Sequence, residues 1–354
     1  MTLLRACVRE DEAALRAALT SPATDVAGCL AFAHEHRLAG FVWARVERLG
    51  LTGLLPPAQL AAAAAGALFE RARSERLTAE LRRLGELLQA DGVPVLFLKG
   101  PLLARRFYGG LDARAAADLD LFIRSPDLAR VEALLGAAGY APAFRVLLSR
   151  RLSRYFTHHF EYRRDGLPLD VHWAFQRHFS FAIDYRRVWT TTERAELGGR
   201  VYEVLSPEYE LVLQLLGIQT DLQVGKLALR SAVDVYHILR AMEGAIDWGE
   251  FCARRGRERI LRPSAYVLAM VLELLHCREE FPALAAALEP ALSELPSTSP
   301  GVRAALDSRT RSPGQKLLAL RLYETPLAAA LSWWLVSLPF RLAVYGVGRG
   351  QDPA

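Results

Sequence analysis

Apolar and polar positions follow helical spacing from residue 1 to about 90, ending in the long stretch PPAQLAAAAAGALFERARSERLTAELRRLGELLQADG. Good helix formers fill that stretch, Pro56–Pro57 open it and Asp91–Gly92 close it, which predicts one long helix. The texture then changes. VPVLFL (93–98) predicts a short strand, KGPLLARRFYGG (99–110) a turn and short helix, and AADLDLFI (116–123) a second strand. RSPDLARVEALLGAAGY (124–140) predicts a helix with Ser125 as N-cap, Pro126 in the first turn and Gly139 near its end. RYFTHHFEYRRDGLPLDVHWAF (154–175) predicts a hairpin turning through Arg164–Asp165–Gly166, and RVYEVLS (200–206) one more strand. From Pro207 the pattern is helical again, with ELPSTSPG (294–301) as a loop between helical layers.

These elements predict an α+β protein in which a small mixed sheet is flanked by extensive helical segments. The expected division is an N-terminal helical region (1–90), an α/β core (91–206) and a C-terminal helical region (207–354). With 354 residues, 52% hydrophobic and 23% charged, the chain can bury a sizeable core. The net charge of +5 suits anionic substrates without demanding nucleic acid or membrane. Only Lys99, Lys226 and Lys316 of the 44 basic residues are lysine, so a lysine in a tight site is notable and arginine clusters are weak signals. Cys7, Cys29, Cys252 and Cys277 show no metal-ligand spacing and are expected as buried thiols. The acidic residues near the N-terminus interrupt any secretory apolar core, and a cytoplasmic location is expected.

Candidate chemistry centres on ADLDLFI. Residues two apart on a strand share a face, so Asp118 and Asp120 should project together, roughly 7 Å apart. Asp170, in LPLDVHW, sits between apolar neighbours in the same way. Three carboxylates on neighbouring strands suit a pair of Mg²⁺ ions, with Mn²⁺ as an alternative, and such ions clamp the attacking and leaving oxygens of a nucleotidyl transfer. Upstream, a strand runs through Lys99–Gly100 into a helix, where backbone N–H groups and a point charge can meet a phosphate.

Phosphate site, aspartate pair and a third aspartate on a later strand, in that order, resemble the DNA polymerase β-like nucleotidyltransferase superfamily. More closely, residues 97–173 resemble its bacterial branch of uncharacterised nucleotidyltransferases, in which a KG replaces the usual Gly-Ser and a tyrosine and an arginine, here Tyr108 and Arg114, precede the DxD. The third acid there lies in a DxHW-like element, here Asp170, His172 and Trp173, and Arg230 and Asp234 resemble that branch's helical R…D element. The Ser after Gly is absent here and Pro101 follows Gly100, which removes one hydroxyl and one N–H from the phosphate site. The resemblance implies a metal-dependent enzyme that moves a nucleoside monophosphate from an NTP to an unidentified small-molecule, peptide or RNA acceptor. Asp118, Asp120 and Asp170 would be its catalytic metal ligands, and Lys99, Gly100 and Arg114 its phosphate contacts. A catalytically degenerate nucleotide- or partner-binding protein and a toxin-like enzyme acting on tRNA are the alternatives.

Other residues carry two readings each. Arg114 could meet the triphosphate or pair with Asp112. His172 could contact the acceptor or pack beside Trp173, and only one of His158 and His159 is expected to face the site. Tyr108 could stack on a base or belong to the core. ARRGRERILRP (253–263) could bind nucleic acid but reads better as a solvated helix face. The C-terminal PLAAALSWWLVSLPFRLAVYGVG is too short before Arg341 to span a bilayer, leaving a buried helix or a peripheral membrane contact through Trp333 and Trp334.

Overall fold

A computed structural model describes residues 1–143, 157–176, 181–224 and 229–299, with the isolated positions 302 and 322. Lys226, Lys316, the start of the expected hairpin and the C-terminal segment bearing Trp333 and Trp334 lie outside the described residues.

Four short helices open the chain: α1 (Thr2–Arg9), α2 (Glu12–Thr20), α3 (Val26–Glu35) and α4 (Ala39–Arg48). Asp11 and Asp25 cap α2 and α3 by accepting from the N–H groups of Ala14 and Gly28. The long helix α5 spans Pro57–Ala90, as its flanking prolines and Asp91–Gly92 predict. Its second half buries Ser74, Leu77, Leu81, Leu84 and Leu88, a stripe at three- and four-residue spacing that faces the sheet.

The sheet has five strands: β1 (Val95–Leu98), β2 (Leu119–Ile123), β3 (Ala141–Pro142), β4 (His159–Arg164) and β5 (Leu167–His172), in the order β1-β2-β5-β4-β3. β2 and β5 run parallel and the other pairs antiparallel. β4 and β5 form the expected hairpin. Asp165 and Gly166 both have positive φ (51° and 76°), the two-residue turn whose twist matches the strands it joins.

Three local expectations need correction. β1 starts at Val95 and β2 at Leu119, so Asp118 precedes its strand. Ser125 opens a 3₁₀ turn, Ser125–Asp127, with no side-chain cap, and helix α7 begins at Leu128 and runs to Ala137. RVYEVLS does hold a strand, β7 (Arg200–Val204), but it pairs with an unforeseen β6 (Glu193–Leu197) in a separate two-stranded sheet. That small sheet follows a short helix, α8 (Tyr185–Thr190), and packs Tyr202 edge-on against Phe97 of β1. Gly85 of α5 permits this: a Cβ there would meet the Tyr202 ring at 3.2 Å.

The C-terminal helices are α9 (Pro207–Val224), α10 (Leu229–Met242), α11 (Trp248–Arg257), α12 (Leu261–Leu275) and α13 (Pro282–Leu292). They share one hydrophobic core with α1–α4. The alternation of the strands divides the sheet between two cores. Phe97, Leu119, Leu121, Ile123, Phe160, Tyr162, Leu169 and Val171 join α5 and α7, whereas Leu96, Leu98 and Phe122 join the helical core. The arginine run on α11 is not simply solvated: Arg255 is fully buried against Glu208 and Glu258, and Arg254 pairs with Glu208 and Glu250. Among the described residues no helix is long and apolar enough to cross a membrane, and the four cysteines are free thiols.

Candidate active site on one face of the sheet

Register fixes what the site-bearing face carries. Asp120 pairs with Asp170 across the parallel β2–β5 ladder, and Asp170 pairs with Glu161 across the hairpin, giving one row of three acids. Two residues further on, Phe122, His172 and His159 form the next row of the same face. The sequence identifies each strand's two faces; the pairing of β2 with β5, some 50 residues apart in sequence, makes Asp120 and Asp170 neighbours.

A cavity of about 150 Å³ gathers Lys99, Gly100, Arg114, Ala116, Asp118, Asp120, His159, Asp170, His172 and Arg230. Among the candidates His158 is absent, as is Tyr108. Its hydroxyl donates to Asp234 (2.6 Å) and its ring packs on Phe41 and His237, so it belongs to the core. A larger cavity of about 600 Å³ lies beyond Phe122, lined by aromatic residues including Trp173, Phe181, Tyr185 and Trp189, and shares no lining residue with the first.

Lys99, the residue after β1, has φ 42° and ψ −140°, a conformation L-residues avoid, and Gly100 follows at φ 51°. The lysine is half-buried rather than an exposed strand end. The helix after it, α6, is shorter than a phosphate-binding helix should be: Gly100–Leu103, continued by a single π turn, Ala104–Tyr108.

Arg114 lines the cavity but does not pair with Asp112. Both arms of its fork donate to Asp234 of α10 (2.7 and 2.8 Å), with both side chains buried, while Asp112 pairs with Arg71. Arg230, one turn before Asp234, donates to the Ala115 carbonyl (2.9 Å), and Arg73 of α5 donates to that of Ala117 (3.1 Å). The loop delivering Asp118 is therefore held by α10 on one side and α5 on the other. Arg230 lines the cavity with its Nε buried and without a hydrogen-bond partner. Burial, reinforced by Arg114, lowers its proton affinity.

The acids differ in charge state. Burial, then Asp120 and Asp118, push Asp170 up to about 8, with Glu161 adding to the effect. Burial and Asp120 likewise raise Asp118. At Asp120 burial acts in the same direction, but Lys99 and the His172 hydrogen bond overcome it and hold the carboxyl well below the usual range. His172 Nε2 lies 3.0 Å from Asp120 Oδ1, and burial drives the imidazole down to about 4 despite that contact. Ligand atoms of Asp120, Asp170 and His172 lie within 4.8 Å of one another, as do those of His159, Glu161 and Asp170.

Of His158 and His159 only His159 lines the cavity, but His158 lies close behind it. His158 precedes β4 and escapes strand alternation, and its ring lies 4.5 Å from His159 and 5.9 Å from His172. Glu161, which no motif in the sequence singles out, joins the same face through its position two residues after His159.

The strand–turn–helix entry at Lys99–Gly100, the acids of β2 and β5 and Asp118 thus share one cavity. The sequence model of the family described as "Uncharacterised nucleotidyltransferase" matches residues 22–276, and the chain belongs to that family. No curated protein matches the chain.

Proposed function

We propose that the protein transfers a nucleoside monophosphate from an NTP to an acceptor with release of pyrophosphate. The observation that carries this reading is the in-register Asp120–Asp170 pair, sharing one cavity with Asp118, Lys99 and Gly100. The donor set fits a hard dication: Asp118, Asp120 and Asp170 offer carboxylate oxygens, and acids crowded enough to keep Asp170 protonated to about pH 8 gain from such an ion. Mg²⁺ or Mn²⁺ bound by them supplies Lewis acidity and charge neutralisation at the phosphates.

The chain's own groups do the rest by position and charge. Lys99 and Arg230 border the cavity as cations and take the triphosphate oxygens. Arg114 acts through Asp234 by fixing the loop that carries Asp118. His172 donates to Asp120 and keeps it ionised. The acceptor oxygen attacks the α-phosphorus, the bond to the β-phosphate oxygen breaks, and Asp170 receives the acceptor's proton. A volume of about 150 Å³ accommodates ions and phosphate oxygens, with the base lying outside.

The four-residue α6 and Pro101, which has no N–H, favour the alternative of nucleotide binding without turnover. Incubation with each α-labelled NTP, Mg²⁺ and a cell lysate separates the two. Label on an acceptor together with pyrophosphate, both lost in Asp120→Asn, is expected. An NTP-induced rise in melting temperature with no pyrophosphate from any NTP would sink the transfer reading.

A further inference from the structure

We propose that His158, His159 and His172 form a second metal site, one imidazole away from the carboxylates, selective for a borderline divalent ion such as Zn²⁺. Each of the three offers a ring nitrogen, and those nitrogens lie within 4.8 Å of one another. The His159 and His172 rings stack at 5.0 Å, with an interplanar angle of 25°.

The independent sign is on His172, which is 8% exposed and has a buried Nδ1 without a hydrogen-bond partner. An ionised carboxylate only accepts, so the 3.0 Å contact with Asp120 Oδ1 places the proton of a neutral His172 on Nε2. Nδ1 then carries the lone pair. A histidine that donates one N–H to a carboxylate while presenting its other nitrogen is the arrangement by which proteins orient imidazole on zinc. The Nδ1 of His159 is likewise buried and unpartnered, with its Nε2 turned to Glu161 at 3.8 Å.

Three imidazoles form a nitrogen-donor set, which suits Zn²⁺ and Co²⁺ and is ill suited to Mg²⁺. A tetrahedral ion about 2.0–2.1 Å from each nitrogen separates the nitrogens by about 3.3–3.4 Å, so nitrogens already within 4.8 Å of one another need approach by no more than about 1.5 Å. The fourth position stays open to water. Bound there, the ion ties the entry to β4 to the end of β5. It also strengthens the His172 N–H as a donor to Asp120. The site goes beyond nucleotidyl transfer and does not require it.

The test is Co²⁺ titration of the full-length, EDTA-stripped protein in excess Mg²⁺, followed by visible absorption. One equivalent should give the intense bands of four-coordinate Co²⁺, which Zn²⁺ displaces and Mg²⁺ does not. His158→Ala and His159→Ala should each weaken binding by more than the ~10–100-fold that loss of an outer partner costs. Asp118→Asn should keep the bands even if it abolishes the Mg²⁺ response. Absent bands, bands undiminished in both histidine variants, or bands lost in Asp118→Asn would each overturn the site. Should either histidine variant fail to fold, X-ray absorption of the Zn²⁺-loaded wild type decides: three imidazoles support the proposal and fewer than three refute it.

Discussion

Replacing Asp170 with Asn should stabilise the metal-free protein, and by an amount that grows with pH. Burial and the neighbouring Asp120, Asp118 and Glu161 raise Asp170 from its ordinary 3.8 to about 8. Between those values the folded chain holds a proton that the unfolded chain has released, so wild-type stability falls as pH rises through that window. Each unit is worth about 1.4 kcal/mol, which gives roughly 4 kcal/mol at pH 7 and between about 1 and 2 kcal/mol at pH 5. Asparagine has the shape of the protonated acid and no titration. The variant should therefore exceed wild type by up to roughly 4 kcal/mol at pH 7, with the two converging near pH 4. Urea unfolding in EDTA at half-unit steps from pH 4.5 to 7.5 measures the difference. A difference independent of pH, or one that shrinks as pH rises, would refute the electrostatic account of this site. Saturating Mg²⁺ should reverse the order, because a dication takes the place of the proton in wild type and the variant binds it less well.

The acid pair should split in sign: Asp118→Asn stabilises the apoprotein, because the burial and the Asp120 charge that raise Asp118 no longer act on an ionisable group. Asp120→Asn destabilises it above about pH 4, where the depressed carboxylate contributes, and equal shifts in thermal melts of the two would contradict this. Lys99→Arg keeps the charge but crowds a strained, half-buried strand end, so NTP affinity measured by calorimetry should fall at least several-fold; normal binding would show that the lysine does not touch phosphate. Arg114→Ala leaves the buried Asp234 carboxylate without its ion-pair partner, with only the Tyr108 hydroxyl hydrogen-bonded to it, at a cost of about 3–5 kcal/mol read by urea unfolding, and a loss under 1 kcal/mol would show the pair to be dispensable.

Local chemistry was legible in the sequence. Helix α5 could be delimited from Pro56–Pro57 and Asp91–Gly92, and the hairpin turn from Asp165–Gly166, because helix ends and tight turns depend on residues only a few positions apart. The order Lys99–Gly100, Asp118–Asp120, Asp170 was equally readable, as was the face each strand residue would take, since alternation is a property of the strand alone. Which strands become neighbours is not. The parallel β2–β5 pairing that sets Asp120 beside Asp170, the small β6–β7 sheet, and the capture of Arg114 by Asp234 120 residues away all depend on how two hydrophobic cores close on opposite faces of one sheet. His158 shows the same limit at short range. Strand alternation would turn it away from His159, but β4 begins one residue later, and where a strand starts is decided by the partner it pairs with rather than by its own residues.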